Sequence, residues 1–319
     1  MSRRSLIATI LVTAVVTALV TVSTTRAVVG QGTRPARTAD GKPNLSGVWQ
    51  VNNEANWDLQ THGARPGAVT QHGVYPYGYA DVPAAPVLAL GAAAIVPGSL
   101  GVVQGDGQIP YTPAAAMKKA ENAANWIDRD PELKCYLPGI PRATYMPYPF
   151  QIVQSSAKIQ MIYTFSNAAR TIHLDQVAGP PDDTWMGHSV GRWEGDTLVV
   201  DVTHFNDKTW LDRAGNFHSD ALHVTERFTP MSPDALRYEV TIEDPNVFTR
   251  PWTIAMPIYR RLEPNIQLLD YPCIDFTEEF LYGHLRKQQL VKHWEGETIA
   301  VDITRKVPPG ERLFEWYGK

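Results

Sequence analysis

The chain has 319 residues, a formal net charge of −4 at pH 7 and a pI near 6.1. Hydrophobic residues make up 44% and charged residues 19%, which excludes a disordered chain, and no Lys/Arg stripe supports nucleic-acid binding. This length suits one large domain or two ordinary ones, and 9 Trp with 13 Tyr supply ring surface for a core or a pocket.

The first stretch, MSRRSLIATILVTAVVTALVTVSTTRA, has a basic start, an apolar run from Leu6 to Val22 and small residues up to Ala27. That is the layout of a secretory signal over residues 1–27. Arg3 and Arg4 resemble the twin-arginine export motif. The apolar run, about 17 residues, is near the lower limit for spanning a bilayer, so an uncleaved segment holding the protein to a membrane is the alternative. Both readings place the domain in an exported compartment, periplasmic or secreted. The two cysteines, Cys135 and Cys273, are expected to pair there as a structural disulfide. Without CxxC spacing they make a poor zinc site.

Residues 28–42 read as a polar linker, and 43–319 as a single β-barrel domain opening at DGKPNLSGVWQV. From about 52 to 127 the chain is an irregular insertion rich in Ala, Pro and Gly, expected to wrap the barrel or lid its mouth. Its best helix is Thr112 to Trp126, with Thr112 as cap and Pro113 at the first helical position. From Phe150 onward the signal is β: FQIVQS, KIQMIYTF, TIHLD, HVTERF, LRYEVTIED, WTIAMPIY and IQLLDY, then a last hairpin from His293 to Thr304. In LRYEVTI, Leu236, Tyr238, Val240 and Ile242 alternate with Arg237, Glu239 and Thr241, giving one apolar and one polar face. The expected fold is mainly β, an antiparallel meander closing into a barrel, after a long, partly helical N-terminal excursion.

LSGVWQV followed by a meander of hairpins resembles the lipocalin or calycin type of barrel, which implies that Gly47-x-Trp49 plugs one end. The phrases GHSVGRWEGDTLVVDVTHF, TWLDRAGNFHSDALHVTERF and EDPNVFTRPWT are more specific. They resemble a largely uncharacterised family of exported bacterial proteins, over about residues 40 to 305. The resemblance implies export and a β-rich domain and supplies no reaction.

VKHWEGETIAVDIT repeats the first of those phrases, aligning Trp193 with Trp294, Gly195 with Gly296 and Asp201 with Asp302. Gly in such a turn supplies a positive φ without penalty. A residue common to both hairpins is more simply structural, so Asp201 reads as a bond to a neighbouring strand or loop. His188 and His204 belong to the first copy alone, and His204, continuing the Leu198, Val200, Val202 row, is expected to point inward.

Glu226 shares the apolar row of its strand with Leu222, Val224 and Phe228. A carboxylate there is costly unless paired, and burial suits it to general acid or base work; the plainer reading pairs it with an Arg such as Arg237 or Arg192. His188, His204 and Glu226 are expected to converge near the barrel mouth, with His218 and His223 beside them; together Glu226, His188, His204 and His223 make the candidate acid–base set. Trp185, Trp210, His218, Tyr238, Trp252 and Tyr259 are the candidate lining of a pocket. No G-x-S-x-G, P-loop or dinucleotide motif occurs, so serine-hydrolase, nucleotide and Rossmann chemistry have no support and no cofactor is expected; a metal held by several His and a carboxylate is the alternative to a His/Glu pair, but no HExxH signature marks one and no metal ligand is assigned. The residues fit a lipocalin-like binder of an apolar or aromatic small molecule, or alternatively a cofactor-independent lyase, isomerase or hydrolase.

Overall fold

A computed structural model describes residues 35–64, 67–71, 78–82, 98–175, 177–270, 273, 290–294 and 297–301. Residues 1–27, read above as a secretory signal, lie outside the described residues. The strands are β1 (Gly47–Val51), β2 (Gly67–Gln71), β3 (Gly78–Val82), β4 (Phe150–Gln154), β5 (Lys158–Tyr163), β6 (Ala169–His173), β7 (His188–Glu194), β8 (Thr197–Thr203), β9 (His223–Ser232), β10 (Ala235–Glu243), β11 (Trp252–Arg260), β12 (Leu290–Trp294) and β13 (Glu297–Val301). Nine of them close a barrel in the order β1-β11-β10-β9-β8-β7-β6-β5-β4, while β2-β3 and β12-β13 form separate two-stranded sheets. The protein is thus mainly β, as the alternating apolar pattern implies. IQLLDY forms no strand at residues 266–270.

Every barrel pairing is antiparallel except β6 with β7, which are parallel through only two partner pairs, Ile172 with Ser189 and His173 with Val190. A parallel pair needs a long crossover, here the segment from Leu174 to Gly187. The meander read from the sequence is therefore interrupted once, at its shortest seam.

Period-2 alternation builds the core. On β10, Leu236, Tyr238, Val240 and Ile242 are buried, and so are their counterparts Val224, Glu226 and Phe228 on β9. The rings of Trp49, Phe150, Tyr163, Phe228, Tyr238 and Trp252 all lie among these buried inward rows. Opposite them, the outer faces of β7, β8 and β9 carry Arg192, Glu194, Asp201 and Arg227, linked as Arg192 with Asp201 and Glu194, and Arg227 with Glu194 at 2.6 Å. Asp201 also accepts from Thr225 at 3.1 Å, which is the strand-to-strand bond expected of it.

The repeated phrase makes a hairpin both times: β7 with β8, where Gly195 takes φ +62°, and β12 with β13. Asp302 lies outside the described residues. Residues 35–43 fold into a turn, with Arg37 paired to Asp196 of the β7-β8 turn at 2.7 Å.

That end of the barrel is shut by Trp49, fully buried, whose indole N–H donates to Leu45 O at 2.8 Å. The opposite end is covered by loops. Leu59, Val102 and Ile109 of the insertion join the core, Gln104 N donates to Thr253 O, and Ala255 N donates to Val102 O. The described parts of the insertion therefore cap the barrel. Helix α1 (Pro113–Ala124) begins as its sequence indicates, with Thr112 Oγ1 accepting from Ala115 N at 3.3 Å. Cys135 and Cys273 form a disulfide closing a loop of 138 residues, which contributes roughly 4 to 5 kcal/mol on a chain-entropy basis. No helix among the described residues is long and apolar enough to cross a membrane.

Candidate functional site

The inward rows are apolar except at one place. Glu226 is completely buried, and Arg170 on β6 meets it across the barrel. Arg170 Nη1 donates to Glu226 Oε2 at 2.5 Å and Nη2 to Oε1 at 3.0 Å; the Tyr238 hydroxyl donates to Oε1 at 2.7 Å. Arg170 further contacts Ser189 Oγ at 3.4 Å and Met161 Sδ at 3.1 Å. Beside them the Tyr163 hydroxyl shares a 3.3 Å bond with Thr144, which ties this polar island to the cap.

Electrostatics here follow burial and pairing. Burial alone would pull the Arg170 guanidinium down, but the Glu226 carboxylate outweighs it and holds Arg170 above its ordinary value, permanently charged. Burial pushes the Tyr238 phenol well above its usual range, and the neighbouring carboxylate adds to this, so it stays a neutral donor. Burial likewise raises Tyr163. Three buried side-chain atoms have no hydrogen-bond partner among the described residues: Arg170 Nε and Trp252 Nε1, on the inward rows of their strands, and Thr184 Oγ1 in the crossover between β6 and β7.

The structure brings Glu226 and Tyr238 together and separates Glu226 from the imidazoles. His188 lies on the outer face of β7, opposite in phase to the buried Ser189, with Nε2 3.2 Å from Val177 O. His204 is a correction to the inward reading: at φ +59° it leaves β8 in a left-handed turn, which breaks the alternation and turns the ring outward. His173, His188 and His204 form a row of rings on the outer wall, with centroids 5.5 and 6.0 Å apart. His223 is 41% exposed and sits 3.5 Å from Asp201 on the outer face. A wall of strand thus stands between the carboxylate and these three candidate partners, and the shared hollow expected from the sequence is not formed. The Glu226 carboxylate already accepts from Arg170 and Tyr238 on both oxygens and is a structural counter-ion in this arrangement.

The candidate lining is divided too. Tyr238 and Trp252 face the interior. Trp185 and Trp210 belong to the cap, where Trp185 packs on Tyr136 with centroids 5.1 Å apart and Trp210 bridges Phe217. Tyr259 points outward, 45% exposed, because it falls in the outer phase of β11. His218 is buried in the cap. Its Nδ1 donates to Ser219 O at 2.8 Å, so Nε2 accepts from Thr209 at 2.6 Å, and burial lowers its pKa, consistent with a neutral ring.

A second buried polar group, absent from the sequence reading, organises the cap. Arg142 makes a two-pronged pair with Asp130 at 2.7 and 2.9 Å and reaches Glu132 at 2.5 Å; Arg213 adds two bonds to Glu132 at 2.6 and 2.7 Å. Burial disfavours the Glu132 charge, yet the two guanidiniums, Arg213 foremost, hold it down at about 2. Nearby, burial pushes Asp212 up to about 7, with Asp58 adding to the shift, against N–H donors from Leu59, Ala214 and Asn216. These segments carry little periodicity, so no pattern in the sequence marks them.

Among the described residues, no three His, Cys, Asp or Glu side chains are grouped so as to hold a metal ion. Compared with protein-family models, curated proteins and solved structures, the chain matches none.

Proposed function

We propose that this is an exported, lipocalin-like protein that binds an apolar or aromatic small molecule inside its barrel. The observation that carries the reading is that two donors on the inward rows, Arg170 Nε and Trp252 Nε1, are buried without partners in an interior that is apolar and aromatic apart from the Arg170–Glu226 pair and the hydroxyls beside it. An unmade buried hydrogen bond costs about 1–3 kcal/mol, and a ligand group that accepts it returns that cost. The inner side chains are almost wholly buried, so admitting a molecule requires the wall to part. The β6-β7 seam, held by two residue pairs, is the shortest contact in the ring and the natural place. The disulfide and the leader-like N-terminus support export; an uncleaved leader would keep the barrel on a membrane surface.

The test is direct. Protein purified from the exported compartment is extracted with organic solvent for mass spectrometry, then titrated with 1-aminoanthracene while its fluorescence is followed. The reading expects a co-purifying apolar compound or saturable uptake of one probe per chain. An empty extract together with linear, unsaturable fluorescence would refute it.

A further inference from the structure

We infer that the barrel selects an apolar molecule bearing a neutral acceptor oxygen, such as a ketone, and discriminates against carboxylates; this rests on the binding reading above. A buried cation is the natural anchor for a carboxylate ligand, provided its charge is unspent. Here it is spent. Both terminal nitrogens of Arg170 are committed to Glu226, and the pair is electrically neutral. Tyr238 donates to the same carboxylate and has no proton left to give. Of the buried atoms left without any partner, the two on the inward rows are the N–H groups of Arg170 Nε and Trp252 Nε1. Each needs an acceptor, and neither brings uncompensated charge.

A ligand carboxylate would enter a low-dielectric space already holding the Glu226 carboxylate, with no unpaired cation to receive it. A ketone oxygen accepts one or two N–H bonds without a charge to desolvate. A plain hydrocarbon fits the apolar wall but leaves both donors unpaired. The inner groups therefore rank ligands of one size as ketone first, hydrocarbon second and carboxylate last, once differences in water solubility are divided out.

The experiment is displacement of 1-aminoanthracene at pH 8 by dodecan-2-one, its isosteric alkene 2-methyldodec-1-ene, and dodecanoate, each corrected by its octanol–water partition. The expected result is at least tenfold stronger displacement by the ketone than by either competitor. In the charge-neutral double variant R170M/E226L the ketone's advantage over the alkene should shrink at least fivefold. In Glu226→Gln, which leaves the Arg170 charge unspent, dodecanoate should gain at least tenfold on the ketone. If either variant does not fold, the wild-type ranking decides alone. Dodecanoate or alkene equal to the ketone in the wild type would overturn the inference while leaving a binding barrel. Absence of saturable probe binding would instead remove the binding reading, and this inference with it.

Discussion

The guanidinium carbon of Arg260 lies 4.2 Å from the ring centroid of Trp49. Arg260 also donates through Nη1 to Ser46 O at 2.6 Å and through Nε to Pro233 O at 3.1 Å, so one side chain stitches the start of β1, the end of β11 and the β9-β10 turn over the plug. Trp on a cation of this kind adds a cation–π contribution of about 0.5–2 kcal/mol to its area burial. Gly47 belongs to the same device. It adopts φ +144°, and a Cβ there would stand 2.1 Å from Arg260 Nη1. The substitution Gly47→Ala should therefore lower stability by about 1–3 kcal/mol, from backbone strain plus displacement of Arg260. Urea unfolding followed by Trp fluorescence measures it; an unchanged midpoint would show that Arg260 does not close this end.

Breaking the interior pair should cost far more than removing it. Glu226→Leu leaves a buried, unpaired guanidinium and is expected to destabilise by about 3–5 kcal/mol. The double variant R170M/E226L should recover most of that, because two apolar side chains replace two desolvated charges. The pair's coupling comes from a double-mutant cycle in urea. Additive single effects would mean that the two residues do not depend on one another.

The cap gives stability two opposed pH dependences. Glu132 is held near 2 in the folded state, below its ordinary value of 4.5, so its stabilisation is complete above about 4.5 and lost as pH falls towards 2; at about 1.4 kcal/mol per unit this is about 3 kcal/mol. Asp212 runs the other way. Its folded value near 7 exceeds 3.8, so the folded state keeps its proton longer and stability declines by up to about 4 kcal/mol as pH rises from 4 to 7. Unfolding free energies from pH 3 to 8 should show Asp212→Asn flattening the slope between pH 5 and 7, and Glu132→Gln removing the acid limb while weakening the fold at neutral pH. A variant Asp212→Asn with the wild-type slope would contradict the assignment.

What the sequence conveys and what it withholds divide along periodicity. Alternation put Leu236, Tyr238, Val240, Ile242 and Glu226 inside correctly, because a strand offers only two phases. The same rule would have found Arg170: it occupies the inner phase with Ile172 and Leu174, as conspicuous there as Glu226 on its own strand. The pairing with Arg237 or Arg192 fails for that reason, since both fall in outer phases. His204 escaped because a single left-handed residue at a strand end resets the phase. The parallel β6-β7 seam was not legible, since a crossover and a hairpin link share the same turn residues. The Arg142, Asp130 and Glu132 cluster sits in segments with no period, where charge placement is decided by tertiary contacts alone.

The measurement closest to the centre of this account is the indole region of the 1H–15N spectrum, with the Trp252 resonance assigned through Trp252→Phe. Saturating dodecan-2-one should shift the Trp252 Nε1–H signal by an amount typical of a newly formed hydrogen bond, on the same isotherm as probe displacement. If that signal stays in place while ligand binds, the molecule is held elsewhere and the interior of the barrel is not the site.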